Sequence, residues 1–424
     1  MTINSALVER GAVTSPYAGD AAEPAPPASV VKGRSKAAVG ALIVGGSHGS
    51  LCVARSLGRQ GIKAAFVGNE PSIAQFSHYV TNALSWGGPD QAGAAAELMD
   101  IGRRHGLDGW LLIPGADSEA RLLSQHKAEL STLFRLKLPD WDAMQWAYDK
   151  TLTYERAATF GIGFPLSYKP HTPQDVVGLD CKFPLILKPT VRERKNAFTR
   201  AKAWQVDDRE ALIARYQEAF ALVGADGIVL QELIPGGGEA QFSYAAVWNR
   251  GAPVASLVAR RRRQFPIDFG LTSTFVETIE NDEVEALAVR FLKSIDYDGM
   301  VEIEFKYDSR DGRYKILDVN ARSWTWCALG GLAGVDFPYI LWGLAMGEQV
   351  PPCRGRAGAT WMLGIRDLMA AAQGILAGVL TARGYVQSLR RPVVFGAYTA
   401  DDMLPGAMEI ALGGWHYLKR RVSR

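Results

Sequence analysis

The chain has 424 residues, 48% of them hydrophobic, which is enough for two or three folded cores of roughly 100 to 200 residues each and excludes a disordered protein. Forty-seven Lys and Arg against forty-four Asp and Glu leave a net charge of only +3, so nucleic acid is not expected as a partner and any anion site must be local. Cys52, Cys181, Cys327 and Cys353 form no CxxC pair and have no His at ligand spacing, which excludes a disulfide framework or zinc site and favours a reducing, cytoplasmic setting.

The first 36 residues contain "GDAAEPAPPASVV" and lack the basic start and apolar run of a secretory signal, so they read as a disordered extension. From Ala37 a buried-strand run, "AAVGALIVGG", leads into a helix with Leu51, Ala54 and Leu57 in step, and then into the strand "KAAFVG". A helix near 91–105, the strand "GWLLIPGAD" and the helix "SEARLLSQHKAEL" follow. Residues 37–146 therefore read as a small α/β unit with a parallel sheet. The turn "GGSHGS" departs from GxGxxG and no acid ends the second strand, so a tight turn before a helix is favoured over a dinucleotide site.

After Asp149 and Lys150 the texture changes to α+β. A helix "TLTYERAATFG" is followed by the apolar strand "FPLILKP", the basic stretch "TVRERKNAFTRAKAW", a helix from about Asp207 and one long strand, "GIVLQELIPGGGEAQFSYAAVW". Next come the strand "APVASLVARRRRQFP", the helix "EVEALAVRFLKSI", and a hairpin of "GMVEIEFKYD" with "GRYKILDVNAR" about a Ser-Arg-Asp-Gly turn. Residues 326–347 are membrane-like in hydropathy, but Asp336 and Pro338 interrupt them, so a buried helix pair is expected. Beyond 350 lie an amphipathic helix in "WMLGIRDLMAAAQGILAGVL" and a basic tail, "MEIALGGWHYLKRRVSR". Packing back on the preceding domain, or pairing as a homodimer, is favoured for this tail over contact with a membrane surface.

The hairpin carries the chemistry. Strand alternation puts Glu302 with Glu304 on one face and Asp318, Asn320 and Arg322 on the facing one, where pairing can bring the acids together. Such a cluster is costly unless a cation sits among it, and oxygen-only ligands favour Mg²⁺; the bland alternative is a solvated acidic edge. Lys188 ends an apolar strand, where a buried ammonium is tolerated mainly against an anion, and Lys150, Glu232 and Glu239 flank it in sequence. Arg260 to Arg263 end another strand, and alternation makes Arg261 and Arg263 the candidates for an oxyanion, against the alternative of a solvated basic run. Ser47 and His48 lack a nucleophile elbow, and the remaining histidines lack partners at recognisable spacing.

Taken together, "DK", "LILKP", "QELIPGGGE", "EIEF" and "LDVNAR" make the stretch from Asp149 to about Gly347 resemble the ATP-grasp superfamily, with residues 37–146 similar to the Rossmann-like domain that commonly precedes it. The resemblance implies a two-lobed ATP-grasp domain over 147–350, with lobes 147–235 and 236–350, and leaves 351–424 as a helical or irregular extension. It implies that Lys150 and Lys188 contact the triphosphate and the adenine pocket. Glu232, with Gln231 beside it and the backbone at Leu233 and Ile234, would read the base, and Glu239 the ribose. Glu304, Asp318 and Asn320 would hold Mg²⁺, or Mn²⁺ in its place, with Glu302 the alternative to Glu304. Arg322, and Arg261 with Arg263, would face the transferred phosphoryl group and the substrate carboxylate.

The implied reaction joins a small-molecule carboxylate to an amine through an acyl phosphate, with ATP going to ADP and phosphate. The alternatives are a bicarbonate-dependent carboxylase or carbamoyl-type enzyme, and a nucleotide-binding regulatory or scaffold protein whose site has decayed. Three departures from the family's pattern stand out. The place of the glycine-rich flap is basic, with Arg192, Arg194 and Lys195; Asp318 stands where glutamate is more usual; and Ala321 stands where proline often does.

Overall fold

The structure, a computed structural model, describes residues 39–189, 196–200, 203–267 and 272–422. The expectations for the first 36 residues and for Arg192, Arg194 and Lys195 lie outside them.

The N-terminal unit is a parallel five-stranded sheet of β1 (Ala41–Val44), β2 (Ala64–Gly68), β3 (Val80–Ser85), β4 (Leu111–Pro114) and β5 (Arg135–Leu136), in the order β3-β2-β1-β4-β5. β1 and β4 are buried at every position, the pattern of strands covered on both faces. The edge strands β3 and β5 were not anticipated, because one is mostly exposed and the other is two residues long. The "GGSHGS" turn is built for close packing. Gly46 has φ +78°, and a Cβ there would stand 2.4 Å from the Gly115 carbonyl oxygen; a Cβ on Gly49 would stand 2.8 Å from the Ser323 backbone. This close contact sets the first unit directly against the chain that leaves the predicted site.

A second sheet of four antiparallel strands comprises β6 (Ser167–Tyr168), β7 (Leu185–Pro189), β8 (Trp204–Val206) and β9 (Ile228–Glu232), ordered β6-β9-β7-β8. The helix Arg209–Val223 covers it, packing Leu212, Tyr216 and Ala219 onto Leu185, Leu187 and Leu230 in a core of its own.

The third sheet contains β10 (Gln241–Asn249), β11 (Ala252–Phe265), β12 (Thr272–Ile279), β13 (Gly299–Asp308), β14 (Arg313–Asn320), β15 (Cys353–Arg354), β16 (Thr360–Met362) and β17 (Val393–Phe395). Its order is β14-β13-β10-β11-β12-β16-β17, with β15 alongside β11. The single strand expected over 227–248 is two strands in two different sheets. The chain breaks at Pro235-Gly236-Gly237, where Gly236 takes φ +89°. The segment expected to be helical or irregular after 350 supplies three strands to this sheet.

Leu42 and Val44 enter one hydrophobic core and Ala41 and Ile43 another, and each core also takes residues of β10, β11 and β13. The parallel sheet and the large sheet are therefore cemented together, while the four-stranded sheet stands apart on its own core. Residues 326–347 form the expected buried pair, Leu329–Ala333 and Phe337–Ala345, with Asp336 capping the second helix by accepting from the Tyr339 backbone N–H. No helix among the described residues is long and apolar enough to cross a membrane.

The C-terminal segment packs back, as expected, but partly on the N-terminal unit. Asp402 accepts from Arg55 Nε at 2.8 Å and Ser77 Oγ at 2.7 Å, Asp401 takes Arg59, and Glu409 lies 2.9 Å from His48 Nε2.

Candidate active site

Between the four-stranded sheet and the face of β10, β11, β13 and β14 lies a cleft of about 810 Å³. Antiparallel register arranges its floor in rows. Glu302 pairs with Asn320 and Glu304 with Asp318 across β13 and β14, while Ser243 faces Glu304 and Gln241 faces Lys306 across β10 and β13. A run of alternate residues thus becomes a patch of acids beside a patch of bases.

The side chains interlock. Asn320 Nδ2 donates to Glu302 Oε2 at 2.6 Å, and Arg322 Nη2 donates to Asn320 Oδ1 at 2.8 Å. Glu304 accepts from Gln241 Nε2 at 2.5 Å and from Arg261 Nη2 at 3.2 Å. Lys150 Nζ reaches Asp318 Oδ2 at 2.9 Å, and on the opposite wall Lys188 Nζ donates to Gln231 Oε1 at 2.8 Å. Arg322 is also gripped from the parallel-sheet unit: Asp117, at the head of the helix after β4, takes its Nε at 2.8 Å and its Nη2 at 3.2 Å.

These contacts set the charges. Burial, and then the neighbouring Glu304, raise the Glu302 carboxyl to about 8 against the pull of Ser243, Arg322 and Arg261. Burial alone would lower the Lys150 ammonium, but Asp318, Tyr154 and Glu304 reverse this and leave it raised. Burial would also lower Arg322, and Asp117 with Glu302 and Asp318 raises it instead. Lys306 is lowered to about 8 by burial and by Arg261 beside it.

The donor set fits a hard cation. Glu302 Oε1 is buried without a hydrogen bond of ordinary geometry, the Glu304 and Asp318 carboxylates pair on the adjacent row, and the Asn320 amide oxygen is held by Arg322. Among the described residues no three His, Cys, Asp or Glu side chains are already gathered as a cage. The acids are instead held by Lys150, Arg261 and Gln241, partners that a cation would have to displace or share.

Glu302 yields a pH prediction. A carboxyl raised in the folded state binds its proton more tightly there, so its contribution to stability is full below the ordinary glutamate range and is lost as pH rises through about 8. With chelator present, Glu302→Gln is expected to raise stability at pH 8.5 relative to the native chain by about 1 to 2 kcal/mol. The gain should shrink towards zero near pH 5. Thermal melting across that range checks it.

Most of the expected residues meet in this cleft: Lys188, Gln231, Glu232, Leu233 and Ile234 from one side, and Lys150, Arg261, Glu304, Asp318, Asn320 and Arg322 from the other. Two do not. Arg263 was expected to share a face with Arg261, but β11 bulges between them, so that Arg261 pairs with Val276 and Arg263 with Phe275. Its guanidinium turns to Asp367 at 2.7 and 2.8 Å, between the Phe275 and Tyr385 rings, and is a structural tie to the C-terminal segment. Glu239 is 64% exposed in its side chain and lies off the cleft, 3.8 Å from Arg260.

Glu232 lines the cleft, but its carboxylate is engaged by Arg310 at 2.5 Å and Lys315 at 3.6 Å, next to the fully buried Asp308. Gln231 and the backbone after it are what the cleft sees. Asp117, Gln241, Tyr154 and Lys306 were not foreseen. Asp117 alone had a readable signal, an acid at the carboxyl end of a parallel strand, where open α/β sheets place ligands.

No family model matches the chain. It is 26% identical over 223 residues to D-aspartate ligase of Enterococcus faecium (strain Aus0004), an alignment covering 50% of this chain and 53% of that protein, so the chain spans about half the length of this relative. Among solved structures it resembles the L-amino acid ligase of Bacillus licheniformis, with a TM-score of 0.55 at 15% identity over 74% of this chain and 75% of that one. It also resembles the biotin carboxylase domain of Hydrogenobacter thermophilus 2-oxoglutarate carboxylase in complex with MgADP, ADP and bicarbonate, with a TM-score of 0.56 at 16% identity over 75% and 72% of the two chains. The cleft between a small antiparallel sheet and the acid-bearing hairpin of a large one, behind a parallel-sheet unit, is thus part of a fold that the chain shares with these ligase and carboxylase structures.

Proposed function

We propose that the chain is an ATP-dependent ligase that joins a small-molecule carboxylate to an amine through an acyl phosphate. The observation that supports this best is the oxygen-donor patch of Glu304, Asp318 and Asn320 on the floor of a cleft whose other wall carries Lys188, with Arg322 and Arg261 at the patch's edge. The similarity to D-aspartate ligase points the same way.

In this reading Glu304, Asp318 and Asn320 hold Mg²⁺, which would neutralise charge on the β- and γ-phosphates when bound. Lys188 and Lys150 take phosphate oxygens, and Lys150 exchanges its bond to Asp318 for one to the nucleotide. The backbone from Glu232 to Ile234 reads the adenine edge. Arg322, held flat by Asp117 and with Nη1 also on the Ser323 carbonyl, presents its remaining Nη1 N–H to the substrate carboxylate, and Arg261 stands beside it. A carboxylate oxygen attacks the γ-phosphorus and ADP leaves; the amine then attacks the acyl carbon and phosphate leaves, giving an amide. Four free cysteines, two of them buried, support placing this reaction in the cytoplasm.

Incubating the chain with ATP, Mg²⁺ and pooled amino acids, followed by product mass spectrometry, tests the proposal. ADP formation that requires both an acid and an amine, with a product one water lighter than their sum, is expected. Turnover that depends on bicarbonate instead would move the assignment to a carboxylase. ATP binding without turnover in any pool would support a scaffold.

A further inference from the structure

The C-terminal segment has its helix facing the wrong way for a soluble protein. In Gly364–Leu376 the residues turned to the molecule are Asp367, Ala370, Ala371 and Gly374, whereas Ile365, Leu368, Met369, Ile375 and Leu376 face solvent, Leu376 at 90%. Small residues inside let the helix lie close on β11 and β12, and the outward stripe recurs at helical spacing. It continues into Val379, Val386 and Leu389. Of the nineteen exposed large apolar side chains among the described residues, twelve fall between 365 and 410. An exposed apolar concentration of this kind marks a docking surface.

Charge identifies what docks. Residues 351–424 hold ten Lys and Arg and four Asp and Glu, a net +6 within a chain of net +3. The four acids are turned to partners elsewhere in the molecule, Asp367 to Arg263, Asp401 to Arg59, Asp402 to Arg55 and Glu409 to His48, and of the bases Arg354 pairs with Glu285 and Arg391 with Glu277. Arg366, Arg383 and Arg390 are exposed beside the apolar stripe. A second copy related by a two-fold axis would bring this cationic patch against itself. The first 38 residues, with four basic and three acidic side chains, offer no complement either. Apolar side chains framed by arginines match the acyl and phosphate layers of an anionic bilayer, and no described helix is long and apolar enough to span one.

We propose that the face formed by Gly364–Leu376 and the following helix, Ala382–Ser388, seats this protein on an anionic membrane surface, lying on the bilayer rather than crossing it.

Flotation of the full chain with vesicles of phosphatidylcholine alone, or with about 30% phosphatidylglycerol, tests this. The bound fraction is expected to be small on the neutral vesicles, at least about tenfold higher on the anionic ones, and reduced by raising salt from about 0.1 M to about 0.5 M. Leu368→Gln with Leu376→Gln should lower binding about tenfold, and so should Arg383→Gln with Arg390→Gln. These side chains are exposed, so folding and ATP turnover in solution should be retained. Absence of flotation with either vesicle overturns the proposal. So does a dimer in light scattering that the Leu pair of changes dissolves while vesicle binding is absent, which would make the patch an interface between copies.

Discussion

Asp318→Asn is expected to lower ATP turnover about a thousandfold or more while shifting the melting temperature only slightly. The carboxylate is partly exposed at the cleft floor and bonded to Lys150 at 2.9 Å, and both ends of this pair keep access to water, so it contributes little to stability. Its cost to function is of another kind. On the proposed reading, removing one of the anionic ligands would weaken the hold on the metal and leave the phosphates facing Glu304 with less compensation, and charge stabilisation of this type supplies several kcal/mol to phosphoryl transfer. Steady-state assays of ADP formation, paired with thermal melting, separate the two effects. A variant that turns over normally would remove Asp318 from the site; one that unfolds would show its role to be structural.

The second large effect concerns Arg322. Arg322→Ala should lower kcat by about two to four orders of magnitude, because the guanidinium donates to Asn320 beside the two carboxylates and is the charge the proposed reading assigns to the substrate. Arg322→Lys should recover little of that, since an ammonium cannot make the bidentate contact of a planar fork. Asp117→Asn gives the sharper comparison. Asp117 is a positioning residue: it fixes the guanidinium plane through two contacts and touches neither Glu304 nor Asp318. Its loss should lower kcat roughly tenfold while leaving the affinity for ADP unchanged. Equal losses from Asp117→Asn and Arg322→Ala in nucleotide binding would mean instead that the pair holds the fold.

Legibility in the sequence followed the length scale of each determinant. The β13–β14 hairpin was readable because its signals are local: alternation, a four-residue turn and acids at fixed offsets. The parallel sheet was readable from buried runs such as "ALIV" and "LLIP". Arg263 was misplaced because a bulge changes facing by one residue, and nothing in "ARRRRQF" announces it. Glu232 looked like a free acid because Arg310 and Lys315, its partners, lie 78 and 83 positions further along the chain. The Asp117–Arg322 contact spans 205 positions and depends on how the first unit packs on the third sheet. The outward stripe of Gly364–Leu376 read as an ordinary amphipathic helix, since a sequence pattern shows that a helix has two faces and not which one meets the protein.

Calorimetric titration of ADP, with Mg²⁺ and then with chelator, into the native chain and into Glu304→Gln with Asp318→Asn tests the central claim most directly, because it reads the acid row through the nucleotide without knowing the substrates. The account predicts binding in the native chain that tightens at least about tenfold with Mg²⁺, and no such tightening in the double variant. Equal affinity with and without Mg²⁺ in the native chain, or an undiminished metal effect in the variant, would contradict it.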